Sequence, residues 1–179
     1  MTSARAIRNL ALIGFMGTGK SSVGRLIADT LHFTFLDTDY VIENRIGLSI
    51  SEVFKRHGEP VFRDWERRLV EELTLRNDTV ISTGGGLPIN PANLESLKTH
   101  ALVVCLWASP EAIYERVKDH SHRPLLDEPD PLAKIRHLLS IREPYYRQAD
   151  VLVSTEMRSV REVATQVIHQ FHLARSAQP

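Results

Sequence analysis

The chain has 179 residues, a length that fits one domain with a sizeable core. Lysine plus arginine total 22 and aspartate plus glutamate total 22, so no basic surplus favours nucleic acid or an anionic membrane as the main partner. The single cysteine excludes an internal disulfide, and no apolar run approaches the roughly 18 residues of a membrane span. These totals favour one domain over residues 1–179 that binds neither nucleic acid nor membrane. We further predict that it is cytoplasmic and monomeric.

After a tail at residues 1–8 that we expect to fray, the first predicted unit spans about residues 10–31. It combines a short apolar strand, a glycine-rich turn and a helix with apolar residues at helical spacing. The turn, Gly14-Phe15-Met16-Gly17-Thr18-Gly19-Lys20-Ser21, fits the P-loop pattern G-x-x-x-x-G-K-[ST] at every fixed position. A chance glycine turn before a helix is the alternative, and the correct neighbours on both sides argue against it.

A P-loop binds phosphates because its glycines let backbone N–H groups curl around the anion, at the positive end of the following helix. Lys20 would add a mobile charge for the β- and γ-phosphates, and the Ser21 hydroxyl would ligate Mg²⁺. We therefore predict a nucleoside triphosphate and Mg²⁺ as ligands. The predicted nucleotide-binding residues of this loop are Gly17, Thr18, Gly19, Lys20, Ser21 and Ser22.

Two acidic residues, Asp37 and Asp39, follow a second predicted strand at 33–36. If the chain stays extended there, both carboxylates point to one side. One would then hold Mg²⁺ and the other would accept a proton from a substrate hydroxyl, which is what phosphoryl transfer requires. Two solvated loop acids are the alternative.

Two helices are predicted next. Ser49 and Glu52 form a capping box for a helix over about 50–57 that stops at Gly58, and Pro60 begins the following helix. The apolar stripe of this second helix is expected at Phe62, Trp65, Leu69 and Leu73. Off that stripe we place Arg63, Glu66 and Arg67.

The second half of the chain continues the alternation. A third strand at 79–82 runs into Gly84-Gly85-Gly86, and the most apolar strand, at 101–107, carries the cysteine. Residues 118–130 are polar and aperiodic, which predicts a mobile loop. Asp130-Pro131 begins a helix that Pro144 should kink or end near residue 142. A fifth strand at 151–153 and a last helix, capped by Ser159 and Glu162, complete the pattern.

Apolar strands separated by helices predict a parallel α/β sheet with helices on both faces and ligands at the carboxyl ends of the strands. The glycine-rich and acidic stretches fall at those ends. Four arginines, Arg63, Arg116, Arg123 and Arg142, recur outside the apolar stripes, and each taken alone could be a solvated surface residue. No Asn-Lys-x-Asp pattern is present, so a guanine-reading switch is not favoured.

The chain resembles the shikimate kinases, and the resemblance covers about residues 10–170. The features that carry it are the Gly14–Ser21 loop, Phe35-Leu36-Asp37-Thr38-Asp39, Phe62-Arg63-x-x-Glu66, Gly84-Gly85-Gly86, Arg123-Pro124-Leu125-Leu126 and Arg142-x-x-Tyr145. The resemblance implies a P-loop fold of the nucleoside-monophosphate-kinase type, with strand order 2-3-1-4-5 and a mobile lid at about 118–130. It also implies transfer of the ATP γ-phosphate to the 3-hydroxyl of shikimate, a step of aromatic amino-acid synthesis.

The resemblance also assigns roles by matched position. It implies a core over about 9–174, a shikimate-binding region over about 37–66 and catalysis by Lys20, Asp39 and Arg123, the last from the lid. The shikimate contacts would be Asp39, Arg63, Gly84, Gly85, Gly86 and Arg142, with Glu66 holding Arg63. Asp37 would join Ser21 at Mg²⁺. The remaining ATP contacts would be Arg116 on the adenine, Arg158 in a nearby adenine loop and Arg123 at the phosphates.

The chain departs from ordinary P-loop proteins because its third strand ends without an acidic residue. Metal binding must then depend on Ser21 with Asp37 and Asp39. Two other functions stay open: a different small-molecule kinase of this fold, such as a gluconate kinase, and a nucleotide-dependent regulatory module without transfer activity. The triple glycine with Arg63 and Arg142 argues against the first, and the acidic pair argues against the second. No role is assigned to His120 and His122.

Overall fold

A computed structural model describes residues 5–118 and 129–177 of the chain. The strands in this part are β1 (Asn9–Ile13), β2 (Thr34–Asp37), β3 (Thr79–Ser82), β4 (Ala101–Trp107) and β5 (Val151–Ser154). They pair in parallel, in the order β2-β3-β1-β4-β5, as predicted. Every strand is followed by at least one helix, which is the connection that parallel neighbours require.

The helices of the described residues cover both faces of this sheet. They are α1 (Lys20–Leu31), α2 (Thr38–Ile46), α3 (Ile50–His57), α4 (Glu59–Leu73), α5 (Pro91–His100), α6 (Pro110–Val117), α7 (Pro131–Tyr146) and α8 (Val160–Ser176), with a short 3-10 helix at Leu87–Ile89. The predicted capping boxes at the starts of α3 and α8 are both present. None of these helices combines the length and the apolar character that crossing a bilayer demands.

The core consists of two apolar layers separated by the sheet. Along β1, Leu10 and Leu12 face a layer that includes the buried side of α1 and α8. Ala11 and Ile13 face the opposite layer, which the other long helices fill. Alternate residues of one strand point to opposite faces, so a strand covered on both sides is apolar on both faces, as β4 is throughout and β1 is after Asn9.

The sheet brings three polar segments together at one edge. Leu12 of β1 lies beside Ser82 of β3, and Ser82 lies beside Asp37 at the end of β2. The P-loop, the acidic segment and the triple glycine leave β1, β2 and β3 in the same direction. They therefore meet at the carboxyl edge, where the sequence predicts the ligands.

The structure corrects the predicted conformation of the acidic segment. The chain does not stay extended after Asp37 but begins α2 at Thr38, a helix that the sequence analysis did not predict. The carboxylate of Asp37 caps this helix by accepting hydrogen bonds from the backbone N–H groups of Asp39 and Tyr40. Asp37 and Asp39 are thus held in different ways, one at the cap and one within the first turn.

Two further features differ from expectation. Pro144 was expected to kink or end α7 near residue 142, and the helix does not end there but continues past Pro144 to Tyr146, whose fully buried ring anchors the last turn. Residues 5–8 of the tail are held in place, because Arg5 forms a bidentate ion pair with Asp150 at 2.6 and 2.8 Å and Ile7 is buried.

Candidate active site

A cavity of about 580 Å³ opens at the carboxyl edge of the sheet. It lies between the P-loop, the start of α2, the helices α3 and α4, the glycine turn after β3 and the side chains of α6 and α7. Most of the residues predicted from sequence line it: Gly17, Gly19, Lys20, Ser21, Ser22, Asp37, Asp39, Arg63, Gly84, Gly85, Gly86, Arg116 and Arg142. Arg123, His120 and His122 lie outside the described residues.

The P-loop has the backbone that its glycines make possible. Gly14 has a φ of 137°, and a Cβ there would lie 2.4 Å from the carbonyl oxygen of Leu106, so no other residue fits. Lys20 Nζ donates hydrogen bonds to the carbonyl oxygens of Gly14 and Phe15, at 3.0 and 2.9 Å. The hydroxyl of Thr18 donates to Phe15 O at 2.8 Å, so this buried side chain stabilises the loop rather than lining the cavity.

Ser21 and Asp37 form a pair of oxygen ligands beside the loop. The Ser21 hydroxyl donates to Asp37 Oδ2 at 2.9 Å and lies 3.4 Å from the hydroxyl of Ser82. A hydroxyl and a carboxylate next to a phosphate loop suit Mg²⁺, which keeps waters and phosphate oxygens as its other ligands. Within the described residues, no three His, Cys, Asp or Glu side chains cluster as an all-protein metal site would. The pair therefore fits Mg²⁺ bound together with a nucleotide.

Asp39 is a partly buried carboxyl group that lines the cavity. Burial, and next to it the negative charge of Asp37, raises its pKa to about 6, although Lys20 opposes the shift. Its Oδ1 is buried and has no hydrogen-bond partner among the described residues. A Cβ at Gly84 would lie 2.4 Å from that same oxygen. The raised pKa makes Asp39 a better proton acceptor than an ordinary aspartate, and Gly84 leaves the room it needs.

Arg63 is held on α4 by two acidic neighbours. Its guanidinium donates to Glu59 at 2.6 and 2.9 Å and to Glu66 at 2.7 Å. Glu66 is only 1% exposed, so it lies on the buried side of α4. The prediction that placed it off the apolar stripe was wrong. Burial raises the pKa of Glu66 to about 7, with Arg63 opposing the shift. The ion pair with Arg63 supports the predicted role of Glu66 as its holder.

The glycine turn separates Arg63 from Arg142. A Cβ at Gly86 would lie 2.6 Å from the Arg63 guanidinium, and a Cβ at Gly85 would lie 3.5 Å from Arg142 Nη1. The guanidinium of Arg142 also lies over the ring of Phe15, 5.3 Å from its centroid. The backbone N–H groups of Gly85 and Gly86 donate no hydrogen bond to the described residues. Two cations and two free donors thus surround one small volume, which is an environment for a carboxylate.

The two arginines predicted for the adenine occupy different places. Arg116 lines the cavity and joins the P-loop to the end of β5, donating to Gly17 O at 3.2 Å and to Thr155 Oγ1 at 2.8 Å. Arg158 does not line this cavity. It donates to Ser154 O, to Glu162 O and to the side chain of Gln166, so it lies against the start of α8.

The apolar wall of the cavity is what sequence reasoning missed. It is formed by Met16, Ile50, Phe54, Phe62 and Val117. Phe54 and Phe62 form an edge-to-face pair with ring centroids 5.1 Å apart, which joins α3 to α4. From sequence, Phe62 is expected on the core stripe and Phe54 has no predicted role. The one available signal was that Phe54 falls on a short capped helix, α3, which directly precedes the helix of Arg63.

The fold and the cavity together define a class of protein. A phosphate-binding loop that shares one small cavity with a buried carboxylate and two arginines is the arrangement of a P-loop kinase for small acidic molecules.

Comparisons with known proteins give the family. The shikimate kinase family model matches residues 16–172. Among curated relatives, the shikimate kinase of Caldanaerobacter subterraneus subsp. tengcongensis is 42% identical over 165 residues, covering 92% of this chain and 96% of the relative. That of Thermodesulfovibrio yellowstonii is 43% identical over 165 residues, covering 92% and 95%. The chain belongs to the shikimate kinase family.

Solved structures agree. A shikimate kinase from Acinetobacter baumannii in complex with shikimate matches with a TM-score of 0.88 and 37% identity, over 97% of each chain. A gluconokinase from Sinorhizobium meliloti matches with a TM-score of 0.63 and 18% identity, over 96% of each chain. At that identity the second match shows only a shared fold.

Proposed function

We propose that this chain transfers the γ-phosphate of ATP to the 3-hydroxyl of shikimate, giving shikimate 3-phosphate and ADP in aromatic amino-acid synthesis. The observation that carries the proposal is the cavity itself, in which Lys20 and Ser21 of the P-loop share one space with Asp39, Arg63 and Arg142. Membership of the family supports the same substrate pair.

The residues suggest how the transfer proceeds. Ser21 and Asp37 would hold Mg²⁺, which would supply positive charge to the phosphates. Lys20 leaves its two carbonyl partners to contact the β- and γ-phosphates. Asp39 accepts the proton of the substrate hydroxyl as its oxygen forms a bond to the γ-phosphorus. The bond between that phosphorus and the bridging oxygen breaks, and ADP leaves with the electron pair.

The substrate is held by groups on separate elements. The guanidinium groups of Arg63 and Arg142 bind its carboxylate, and the free N–H groups of the glycine turn add two donors from the backbone. Phe54 and Phe62 form an apolar wall against the ring. Fixing the substrate in this way lowers the entropic part of the barrier.

Several predictions from sequence stay predictions. They include Arg123 as the lid arginine, the lid at about 118–130, Arg116 and Arg158 as adenine contacts, and the shikimate-binding region at about 37–66. They also include one kinase domain over 1–179, Mg²⁺ as the metal, a monomeric state and a cytoplasmic location without nucleic acid as a partner.

The proposed activity is tested by ADP release from ATP in the presence of Mg²⁺. We expect release to depend on shikimate and to stop when EDTA removes the metal. Gluconate in place of shikimate should give the background rate. ADP release that ignores shikimate but rises with gluconate would favour the sugar-acid kinase, and tight ATP binding without any product would favour the regulatory module.

Arginine-to-lysine substitutions test the carboxylate site. Arg63→Lys and Arg142→Lys should raise the KM for shikimate by about tenfold or more and leave the KM for ATP nearly unchanged. Lysine keeps the charge but loses the planar pair of donors that matches a carboxylate. Steady-state kinetics with each substrate varied in turn provides the measurement.

Matched controls are available on the same helices. Arg68→Lys on α4 and Arg136→Lys on α7 change exposed arginines that pair with Asp64 and Glu111, so both KM values should stay at the wild-type level. A larger effect of Arg63→Lys or Arg142→Lys on the KM for ATP would mean that these arginines bind the nucleotide instead.

A further inference from the structure

The buried end of α7 touches the glycine turn. Tyr146 is fully buried, and its hydroxyl donates a hydrogen bond to the carbonyl oxygen of Gly85 at 2.7 Å. Burial raises the pKa of Tyr146 to about 12, although the neighbouring Arg142 guanidinium opposes the shift, so the phenol stays neutral and remains a donor at physiological pH. The features that carry the family resemblance include the neighbouring Tyr145 and not Tyr146. Tyr145 is only partly buried and has no side-chain hydrogen bond within the described residues.

This hydrogen bond fixes the plane of one peptide. No described peptide is cis, so the C=O of Gly85 and the N–H of Gly86 lie in one plane and point in opposite directions. Tyr146 lies in the core beneath the turn, whereas Gly86 lines the cavity. With its carbonyl turned towards Tyr146, this peptide directs the Gly86 N–H away from the core and towards the cavity.

The turn has few other supports. The N–H of Gly84 donates to the hydroxyl of Thr38 at 2.9 Å, and the N–H of Leu87 donates back to the carbonyl oxygen of Gly84 at 3.1 Å. At the other end, the N–H of Ile89 donates to the carbonyl oxygen of Gly86 at 3.1 Å. These bonds fix the two ends of the triple glycine. Between them lies a peptide with no side chain to restrict it, and glycine adopts both signs of φ about equally well. The Gly85 carbonyl has no donor other than Tyr146 among the hydrogen bonds of the described residues.

The geometry of α7 links the hydrogen bond from Tyr146 to the carboxylate site. Arg142 and Tyr146 are four residues apart on α7, so they lie on the same face, one turn above the other. Arg142 reaches the cavity, and Tyr146 holds the turn beneath it. One helix thus sets the position of a cation and of a backbone donor for the same ligand.

We propose that Tyr146 is a positioning residue for shikimate, acting through the peptide between Gly85 and Gly86. The inference rests on the proposed function. It adds that the orientation of this peptide, and with it the Gly86 N–H donor, depends on one buried hydroxyl. Without that hydroxyl the peptide rotates, and the ligand's carboxylate loses a donor before it binds.

The test is Tyr146→Phe, which removes one oxygen and keeps the ring, with Tyr145→Phe as the matched control one position away. We expect the KM for shikimate to rise by roughly three- to tenfold in Tyr146→Phe, the size of one neutral hydrogen bond. The KM for ATP should stay within about twofold, and Tyr145→Phe should match the wild type for both substrates. The affinity for shikimate, measured by calorimetry without ATP, should fall by the same factor.

The outcomes separate this inference from the proposed function. Wild-type enzyme without shikimate-dependent ADP release would end the proposed function. An active wild type with an unchanged KM for shikimate in Tyr146→Phe would overturn the positioning role alone. A Tyr146→Phe protein that has a lower thermal midpoint but normal affinity for shikimate, or that does not fold at the assay temperature, would make the hydroxyl a structural group and would also overturn it.

Discussion

Asp39→Asn should bind both substrates and lose about 10²–10⁴-fold in kcat, the usual contribution of a general base. The amide keeps the size of the carboxylate but cannot take up the proton of the attacking hydroxyl. The structure strengthens this expectation because burial raises the pKa of Asp39 to about 6, which increases its proton affinity while leaving it ionised at neutral pH. Single-turnover measurement of product formation isolates this step from product release.

The thermal midpoint of the Asp39→Asn protein provides a control for this variant. Asn removes a partly buried carboxylate whose buried Oδ1 has no partner among the described residues, so the thermal midpoint should stay at or above that of the wild type. Asp64→Asn on the exposed face of α4 is the matched substitution and should leave kcat unchanged. A folded Asp39→Asn enzyme with a normal kcat would exclude Asp39 as the base.

Two alanine substitutions in the glycine turn should give different kinetic defects, one mainly in kcat and the other mainly in the KM for shikimate. A Cβ at Gly84 would lie 2.4 Å from Asp39 Oδ1, whereas a Cβ at Gly86 would lie 2.6 Å from the Arg63 guanidinium. Gly84→Ala should therefore displace the base and lower kcat by about 10²-fold, the cost of a misplacement of roughly 1 Å. Gly86→Ala should displace Arg63 and chiefly raise the KM for shikimate, with a smaller effect on kcat.

A substitution at a third glycine distinguishes the displacement of an active-site side chain from a general loss of stability. Gly47 has a φ of 73°, and no atom lies within 4 Å of its Cβ position, so Gly47→Ala strains the backbone without touching the cavity. It should lower the thermal midpoint and leave both kinetic constants intact. Equal kinetic losses in Gly84→Ala and Gly86→Ala, or losses that follow the thermal midpoint, would contradict the separate roles assigned to Asp39 and Arg63.

Sequence sufficed for the features that depend on local pattern. The strand order followed from the resemblance, and the positions of the strands followed from apolar runs that both core layers require. The P-loop could be predicted because its chemistry needs a fixed spacing of glycines, a lysine and a hydroxyl. The capping boxes at Ser49 and Ser159 were predictable for the same reason, since each is complete within four residues.

One local contact and two long-range features explain what sequence could not provide. The start of α2 depends on a local cap by the Asp37 side chain, which the prediction of an extended segment from Asp37 to Asp39 did not include. The burial of Glu66 depends on how α4 packs beside the cavity. The spacing of apolar residues along α4 cannot show whether the ion pair between Glu66 and Arg63 is buried or exposed. The hydrogen bond from Tyr146 to Gly85 joins residues 61 positions apart, and neither residue type indicates it.

The partly buried Asp39 carboxylate also affects how heat-resistant this enzyme can become. Its Oδ1 is buried without a hydrogen-bond partner in the part of the chain that the structure describes. Such a group weakens the free protein, and it is tolerated where activity needs it. Selection for heat resistance alone would favour a neutral side chain at this position, whereas selection for turnover retains the acid. The enzyme therefore trades resistance to unfolding for a charged group that its ligands complete.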